Sequence, residues 1–379
     1  MLTDRQKEAL DIYKECGENA TKAAEKMGMR RQSLQSILNS AYVKLAKAGI
    51  TENMDVSEHV GQGYAVKGVS TLVGDDGKAK LRWVKTDADK QAQFEAMQEA
   101  VKAACEEVPR LPALDAPVNC VEELCNLYVI TDYHLGMLAW GEETGDDWDT
   151  QKAENSLVKW FELAISQSPT TKSAVFAQLG DFLHWDGFDA VTPSSGHLLD
   201  ADTRFHRLVR VAIRVIRRII DMLLHKHEQI HIVMAEGNHD MAASIWLTEL
   251  FSTLYENEPR ITIDNNPDPY YCYEHGTTSL FFHHGHKRKV KNISDVFVAK
   301  YREVFGRTKN SYAHLGHLHH DLREENNLMI VEQHRTLAAP DAYASRGGWM
   351  SGRDSKVITY HVEHGEVGRV TIGWKMVGS

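Results

Sequence analysis

Apolar positions along this chain recur with two different periods. In the first fifty residues they recur at helical spacing, and the sequence predicts helices only. Thr3 is placed to cap a first helix that runs through Tyr13, with Leu10 and Tyr13 on one face and Gly17 ending it. An Ala-rich helix over 20–27 comes next, Gly28 turns the chain, and a longer helix spans Arg31–Lys47. Leu34, Ile37, Leu38, Tyr42 and Leu45 form its apolar stripe. From Cys120 onward the apolar residues gather instead into short runs, the pattern of buried strands. These lie at 127–131, 173–179, 230–235, 279–282 and 312–315, with helices expected over 151–166 and 202–225. Strands alternating with helices predict an α/β layered fold.

Between these regions, 66–84 reads as a β-hairpin around Asp75-Asp76-Gly77, a strong turn signal. Its basic residues and Trp83 are read as packing, with nucleic-acid contact as the alternative. An amphipathic helix is expected over 87–107, and the Pro-rich stretch 109–117 reads as a semi-rigid spacer. The expected domains are therefore 1–50, 51–118 and 119–379. A closing strand pair is expected near 356–361 and 367–374, at a sheet edge, after a Gly-rich, loop-like segment at 338–355. In that segment Arg346, Trp349 and Arg353 are candidates to line a substrate groove.

The residues just beyond the apolar runs carry the chemistry. The runs lead into Asp132-Tyr133-His134, Gly180-Asp181, Gly237-Asn238-His239-Asp240, His283-His284-Gly285-His286 and Gly316-His317-Leu318-His319. Carboxylate, amide oxygen and imidazole suit divalent ions such as Mn²⁺. An Asp shared by two ions can hold them roughly 3.5–4 Å apart, and such a pair activates water and clamps a phosphate. Each cluster alone is weak; five in order at strand ends are hard to obtain by accident.

Composition narrows the field further. With 379 residues, 42% hydrophobic and 25% charged, the chain has room for a large core. The net charge of −10 excludes a general polyanion binder, so any nucleic-acid contact must use local basic patches. Five scattered cysteines, at 16, 105, 120, 125 and 272, show no paired zinc spacing, and a reduced, cytoplasmic setting is expected. No apolar stretch is long enough to predict a membrane span.

From the five motifs the chain is identified as a member of the calcineurin-like metallophosphoesterase family over roughly 122–335. The resemblance implies a β-sandwich flanked by helices, with the N-terminal helices as a separate all-α domain. It implies Asp132, His134 and His319 on a first metal, Asp181 bridging, and Asn238, His284 and His317 on a second. It also implies His239 beside the scissile phosphate, with Asp240 as its partner. Two divalent ions are the expected cofactors, Mn²⁺ first, with Fe, Zn, Mg and Ni as alternatives. One position departs from the common pattern: three residues after Asp181, where an acid is frequent, stands His184, and Asp186 comes later. His314 and His320, beside motif five, are read as surface or supporting residues.

The N-terminal segment resembles the helix-turn-helix of sigma-factor-like regulators, on LTDRQKEALDIY, AAEKMGM and RRQSLQSILNSAYVKL. Between Lys22 and Lys47 the only acid is Glu25. Arg30, Arg31, Gln32, Ser33 and Gln35 would then reach phosphates or base edges of DNA; the plain alternative is a helical bundle for protein contacts. Lys287, Arg288 and Lys289, with Lys291, stand directly after motif four, where a long polyanion would leave the site. The arginines at 204, 207, 210, 214, 217 and 218 are read mainly as charges carried around an apolar helix face. The motif order is similar to DNA-repair exonucleases, and the build to bacteriophage proteins; such relatives often form homodimers. The expected function is a metal-dependent DNA phosphodiesterase, exo- or endonucleolytic. The alternatives are a phosphomonoesterase or small-nucleotide phosphodiesterase with a protein-binding head, and a DNA-binding regulator on a decayed phosphatase fold.

Overall fold

A computed structural model describes residues 2–17, 19–47, 50–51, 54–55, 64–73, 79–88, 116–193 and 195–378. The chain divides into two compact units, Met1–Gln98 and Glu99–Ser379.

In the first unit, α1 (Asp4–Glu15), α2 (Ala20–Lys26) and α3 (Arg31–Lys47) stand where the periodicity places them. Thr3 closes a capping box with Gln6, and Asn19 caps α2 by accepting from the Thr21 and Lys22 N–H groups. Ala9, Leu10, Ala23, Ala24, Leu34, Leu38 and Ala41 form their shared core. Two short strands, β1 (Ile50–Thr51) and β2 (Met54–Asp55), pair with each other. The expected hairpin is present as β3 (Tyr64–Val73) and β4 (Ala79–Ala88), antiparallel. Its turn residues, most of the predicted 87–107 helix and most of the Pro-rich spacer lie outside the described residues. Asp87 and Ala88 belong to β4, not to that helix: pairing with Ala65 and Tyr64 extends the strand past the predicted end.

The second unit is a β-sandwich. Its six-stranded sheet runs β15-β14-β5-β6-β7-β8, and its five-stranded sheet β12-β13-β11-β10-β9. The first is built on parallel pairing of β5 (Val121–Ile130), β6 (Thr171–Gln178), β7 (Gln229–Met234) and β8 (Ile261–Ile263). β14 (Asp354–His361) joins β5 antiparallel, and β15 (Gly365–Gly373) closes the edge. The second holds β9 (Tyr271–His275), β10 (Thr278–His283), β11 (Asn310–Leu315), β12 (Leu322–Glu325) and β13 (Ile330–Gln333). Leu127, Val129, Val175, Val233, Leu280, Phe282, Ile358 and Tyr360 fill the space between the sheets.

Helices cover the outer faces. α4 (Gly141–Thr144) is one turn; α5 (Thr150–Gln167) and α6 (Phe205–Leu224) pack against each other and cover the six-stranded sheet, with Phe161 stacked on Tyr128 of β5 and edge-on to Phe176 of β6. Arg214 donates two hydrogen bonds to the Glu154 carboxylate on α5 at 2.6–2.7 Å, and Arg218 reaches Glu162, so part of the arginine series ties two helices together. α7 (Met241–Leu254) comes after motif three. α8 (Val290–Lys300) covers the second sheet with Ile293 and Phe297, and α9 (Arg302–Arg307) leads to β11. The segment predicted as loop at 338–355 contains α10 (Ala342–Gly347), capped by Asp341. Because β5, β6, β7, β10 and β11 all end at the same side, the five motifs converge there.

Candidate metal centre

Motifs one, two and five leave their strands through strained turns. Among the described residues, six non-glycine residues have positive φ, and five of them are Asp132, His134, Asp181, His317 and His319. Left-handed backbone costs a branched or bulky residue about 1 kcal/mol or more, and such strain gathers where side chains must be aimed. Neighbouring glycines allow the close packing this requires. A Cβ on Gly316 would lie 1.9 Å from Thr131 Oγ1 and 2.6 Å from Asp132 Oδ2; one on Gly237 would lie 2.1 Å from Asp181 Oδ1.

The aimed side chains meet. Donor atoms of Asp132, His134 and His319 lie within 4.8 Å of one another, and so do those of Asp181, His284 and His317. His319 Nε2 is 3.1 Å from Asp132 Oδ1, and His284 Nε2 is 3.1 Å from Asp181 Oδ2 and 3.9 Å from Asp132 Oδ1. His284 therefore stands between the two carboxylates, and Asn238 Oδ1 lies 3.2 Å from the same Nε2. The other nitrogen of His284, Nδ1, donates to the Leu179 carbonyl at 2.8 Å, which fixes Nε2 as the atom facing the centre. All seven residues predicted as ligands are thus brought together.

Three tests of fit point to cations. First, Asp132 Oδ1 is buried and accepts no well-formed hydrogen bond, an unsatisfied lone pair in a place with no water access. Second, burial pushes the Asp132 and Asp181 carboxyls up, yet the imidazoles beside them, His319 and His284 for Asp132 and His284 for Asp181, hold both well below the usual range. Third, burial pulls His284 down, but Asp181 and Asp132 raise it to about 10, so the centre draws in positive charge. Buried among other histidines, His134 is pushed well down and stays a neutral donor.

A second buried trio, His314, Glu332 and His334, also has donor atoms close together. Its carboxylate is already taken: Lys356 lies at 2.9 Å, and Arg369 donates twice at 2.8 and 2.9 Å. His314 bonds Tyr360 and His334. The Glu332 carboxylate is thus neutralised by two cationic side chains, although His334 Nδ1, 3.8 Å from it, has no hydrogen-bond partner among the described residues.

The structure corrects one expected role. Asp240 is not the partner of His239. Its Oδ1 accepts from the N–H groups of Asp181 and Gly237, and its Oδ2 from those of Phe182 and Leu183, at 2.7–3.2 Å. It clamps the second motif to the third. Asp240 is also the N-cap residue of α7 without capping it; Asp186 accepts from the Ala242 N–H in its place. His239 Nδ1 donates to the His184 carbonyl at 2.8 Å, and Nε2 has no hydrogen-bond partner among the described residues. Its backbone N–H donates to Asp181 Oδ1 at 2.8 Å.

Several contributors escaped prediction or were left aside. His184, set apart by its position after Asp181, is buried with Nδ1 3.2 Å from Nδ1 of His134. Thr131 Oγ1 donates to Asp132 Oδ2 at 2.5 Å, and Thr336 Oγ1 to the Asp132 carbonyl at 2.6 Å. Arg353 does not line a groove: it pairs with Asp146 at 2.5 Å and stacks 3.9 Å from the Trp374 ring. Arg346 pairs with Glu143 at 2.8 Å.

Beside the centre a cavity of about 480 Å³ is lined by His286, Lys287, Arg288, Lys289, His317 and Leu318, among others. Lys287, Arg288 and Lys289 are exposed, and Lys287 lies 3.9 Å from Glu236. In the first unit, Arg30, Arg31, Gln32 and Gln35 are exposed at the start of α3.

Among comparisons with known proteins, the calcineurin-like phosphoesterase family model matches residues 126–364. No curated protein matches. Solved structures that resemble the chain include YfcE, a phosphoesterase from E. coli, with 13% identity over 65% of this chain and 98% of that one, TM-score 0.31. An archaeal phosphodiesterase gives 13% identity, 65% and 99% coverage and a TM-score of 0.33. A dimetal phosphatase from Danio rerio gives 9% identity, 68% and 100% coverage and a TM-score of 0.36. At these scores the family model, not the structural likeness, carries the assignment.

Proposed function

This chain belongs to the calcineurin-like phosphoesterase family, and from that premise we propose that it hydrolyses phosphodiester bonds in DNA, with the N-terminal helices as a DNA-holding head. The observation that carries the reading is the pair of donor groups joined through His284 and opening beside a basic cavity.

Asp132, His134 and His319 would hold one divalent ion, and Asn238, His284 and His317 another, with Asp181 shared; Mn²⁺ suits this mixed oxygen and imidazole set. Bound there, the ions would lower the pKa of water and offset charge building on the phosphate. The chain's own residues do the rest. His284 is locked in the right tautomer by the Leu179 carbonyl. Asp240 holds the Asp181 turn in register with the Asn238 turn. His239, steadied through Nδ1 by the His184 carbonyl, presents Nε2 and hands a proton to the departing oxygen.

A diester within a long polyanion needs cations beyond the centre. Arg288, Lys289 and Lys291 form no ion pair among the described residues, so their charge is available to flanking phosphates. The exposed Arg30, Arg31, Gln32 and Gln35 support the same substrate class for the head.

The test is purified protein with Mn²⁺ assayed on single- and double-stranded DNA beside bis-p-nitrophenyl phosphate. Cleavage of both DNA and the small diester is expected. Cleavage of the small diester with none of DNA would favour a small-nucleotide phosphodiesterase; no cleavage with DNA still bound would favour a regulator.

A further inference from the structure

Resting on the phosphodiesterase reading above, we propose that the substrate strand is unpaired, and that its bases stack on an aromatic platform made by Tyr343 and Trp349 at the rim of the candidate centre. The two side chains are 68% and 58% exposed, yet they are not loose. Their rings meet edge to face with centroids 4.9 Å apart.

The segment that carries them is pinned at several points. Asp341 caps α10 by accepting from the Ala344 N–H at 2.7 Å, and Gly348, with φ +71°, ends it. A Cβ on Gly347 would lie 3.1 Å from the Trp349 indole, so that ring lies against the backbone. Ser345 Oγ donates to the Glu143 carbonyl at 2.7 Å, and Arg346 pairs with Glu143, which ties α10 to α4. Two residues beyond Trp349, Ser351 Oγ donates to the carbonyl of His319, a candidate ligand, at 2.7 Å. The segment that carries the platform is therefore tied to the turn that carries His319.

Charge decides what it takes. The cationic cavity opens beside His317, whereas the platform is tied to His319 and to α4, which carries Glu142 and Glu143. Arg346 offsets Glu143, which leaves no surplus of positive charge here for a phosphate. A neutral base face fits, and only an unpaired strand offers one, because duplex bases already stack on each other. A strand lying across the centre would place phosphates in the cavity and bases on the platform.

The experiment is fluorescence anisotropy of labelled (dT)12 and of a 12-base-pair duplex with the full chain in EDTA, which prevents cleavage. Trp349→Ala should weaken (dT)12 binding about tenfold, the loss of one stacked base. Trp349→Phe should recover most of that affinity, and duplex binding should not change. A (dT)12 affinity within twofold of wild type in Trp349→Ala, or wild-type protein that fails to bind (dT)12, overturns the proposal. So does an equal loss on duplex. Hydrolysis of bis-p-nitrophenyl phosphate by the wild-type chain tests the underlying reading separately.

Discussion

Replacing Asp240 by Ala separates a structural clamp from a catalytic partner. The carboxylate accepts four buried backbone N–H groups, from Asp181, Phe182, Leu183 and Gly237. Each orphaned donor costs about 1–3 kcal/mol, and water entering the vacated space recovers part of this. A net loss of roughly 4 kcal/mol is expected. For a domain of this size each kcal/mol moves the melting midpoint by about 2–4 °C, so the midpoint should fall by roughly 8–16 °C. Asp240→Asn keeps one acceptor oxygen but turns an NH₂ toward two N–H groups, and should lose at least half as much. The assay is a circular-dichroism melt in EDTA, which excludes stabilisation by bound ions. A midpoint within about 1 °C of wild type, with turnover abolished, would refute the clamp and restore Asp240 as a partner of His239.

Other outcomes are open to direct measurement. His239→Ala should keep its bound metal, read by elemental analysis, and lose turnover on bis-p-nitrophenyl phosphate by about 10²- to 10⁴-fold. Arg31→Ala should weaken DNA affinity and flatten its salt dependence; an unchanged salt slope would assign the head to protein contacts. Gly316→Ala would force a methyl group to within 1.9 Å of Thr131 Oγ1 and should abolish stable metal binding, measured by equilibrium dialysis with Mn²⁺. His227 is buried against Thr171 and Tyr128, and burial lowers it to about 4. Its folded value lies below the unfolded value of about 6.5, so its stabilising effect is complete above pH ~6.5 and is lost as pH falls toward 4, by about 3 kcal/mol. His227→Gln should flatten the stability profile across that window.

The legible parts of this chain were those set by local rules. Thr3, Gly17 and Gly28 bound the first two helices through capping and positive φ, which act within a few residues. The strand-end motifs were readable because Asp or His at the end of a buried run is costly unless a charge or a metal compensates it. Roles set by distant residues were not. Asp240 sits next to His239 in sequence, yet the turn into α7 sends the two side chains to different partners. Arg353 looked like groove lining because Asp146 and Trp148, its partners, lie some two hundred residues earlier. β12 and β13 escaped notice because β12 is a mostly exposed edge strand and β13 is buried only through its place between β12 and β11. α7 carries no clear polar face, so its periodicity gave no helical signal.

Metal content measured on the wild-type chain and on Asp181→Ala, after loading with Mn²⁺ and desalting, tests the central claim most directly. Two ions per chain in the wild type, with loss of at least one on removing Asp181, is the predicted result. A wild-type chain that retains one ion or none, or an Asp181→Ala chain that still holds two, would contradict the shared two-ion centre.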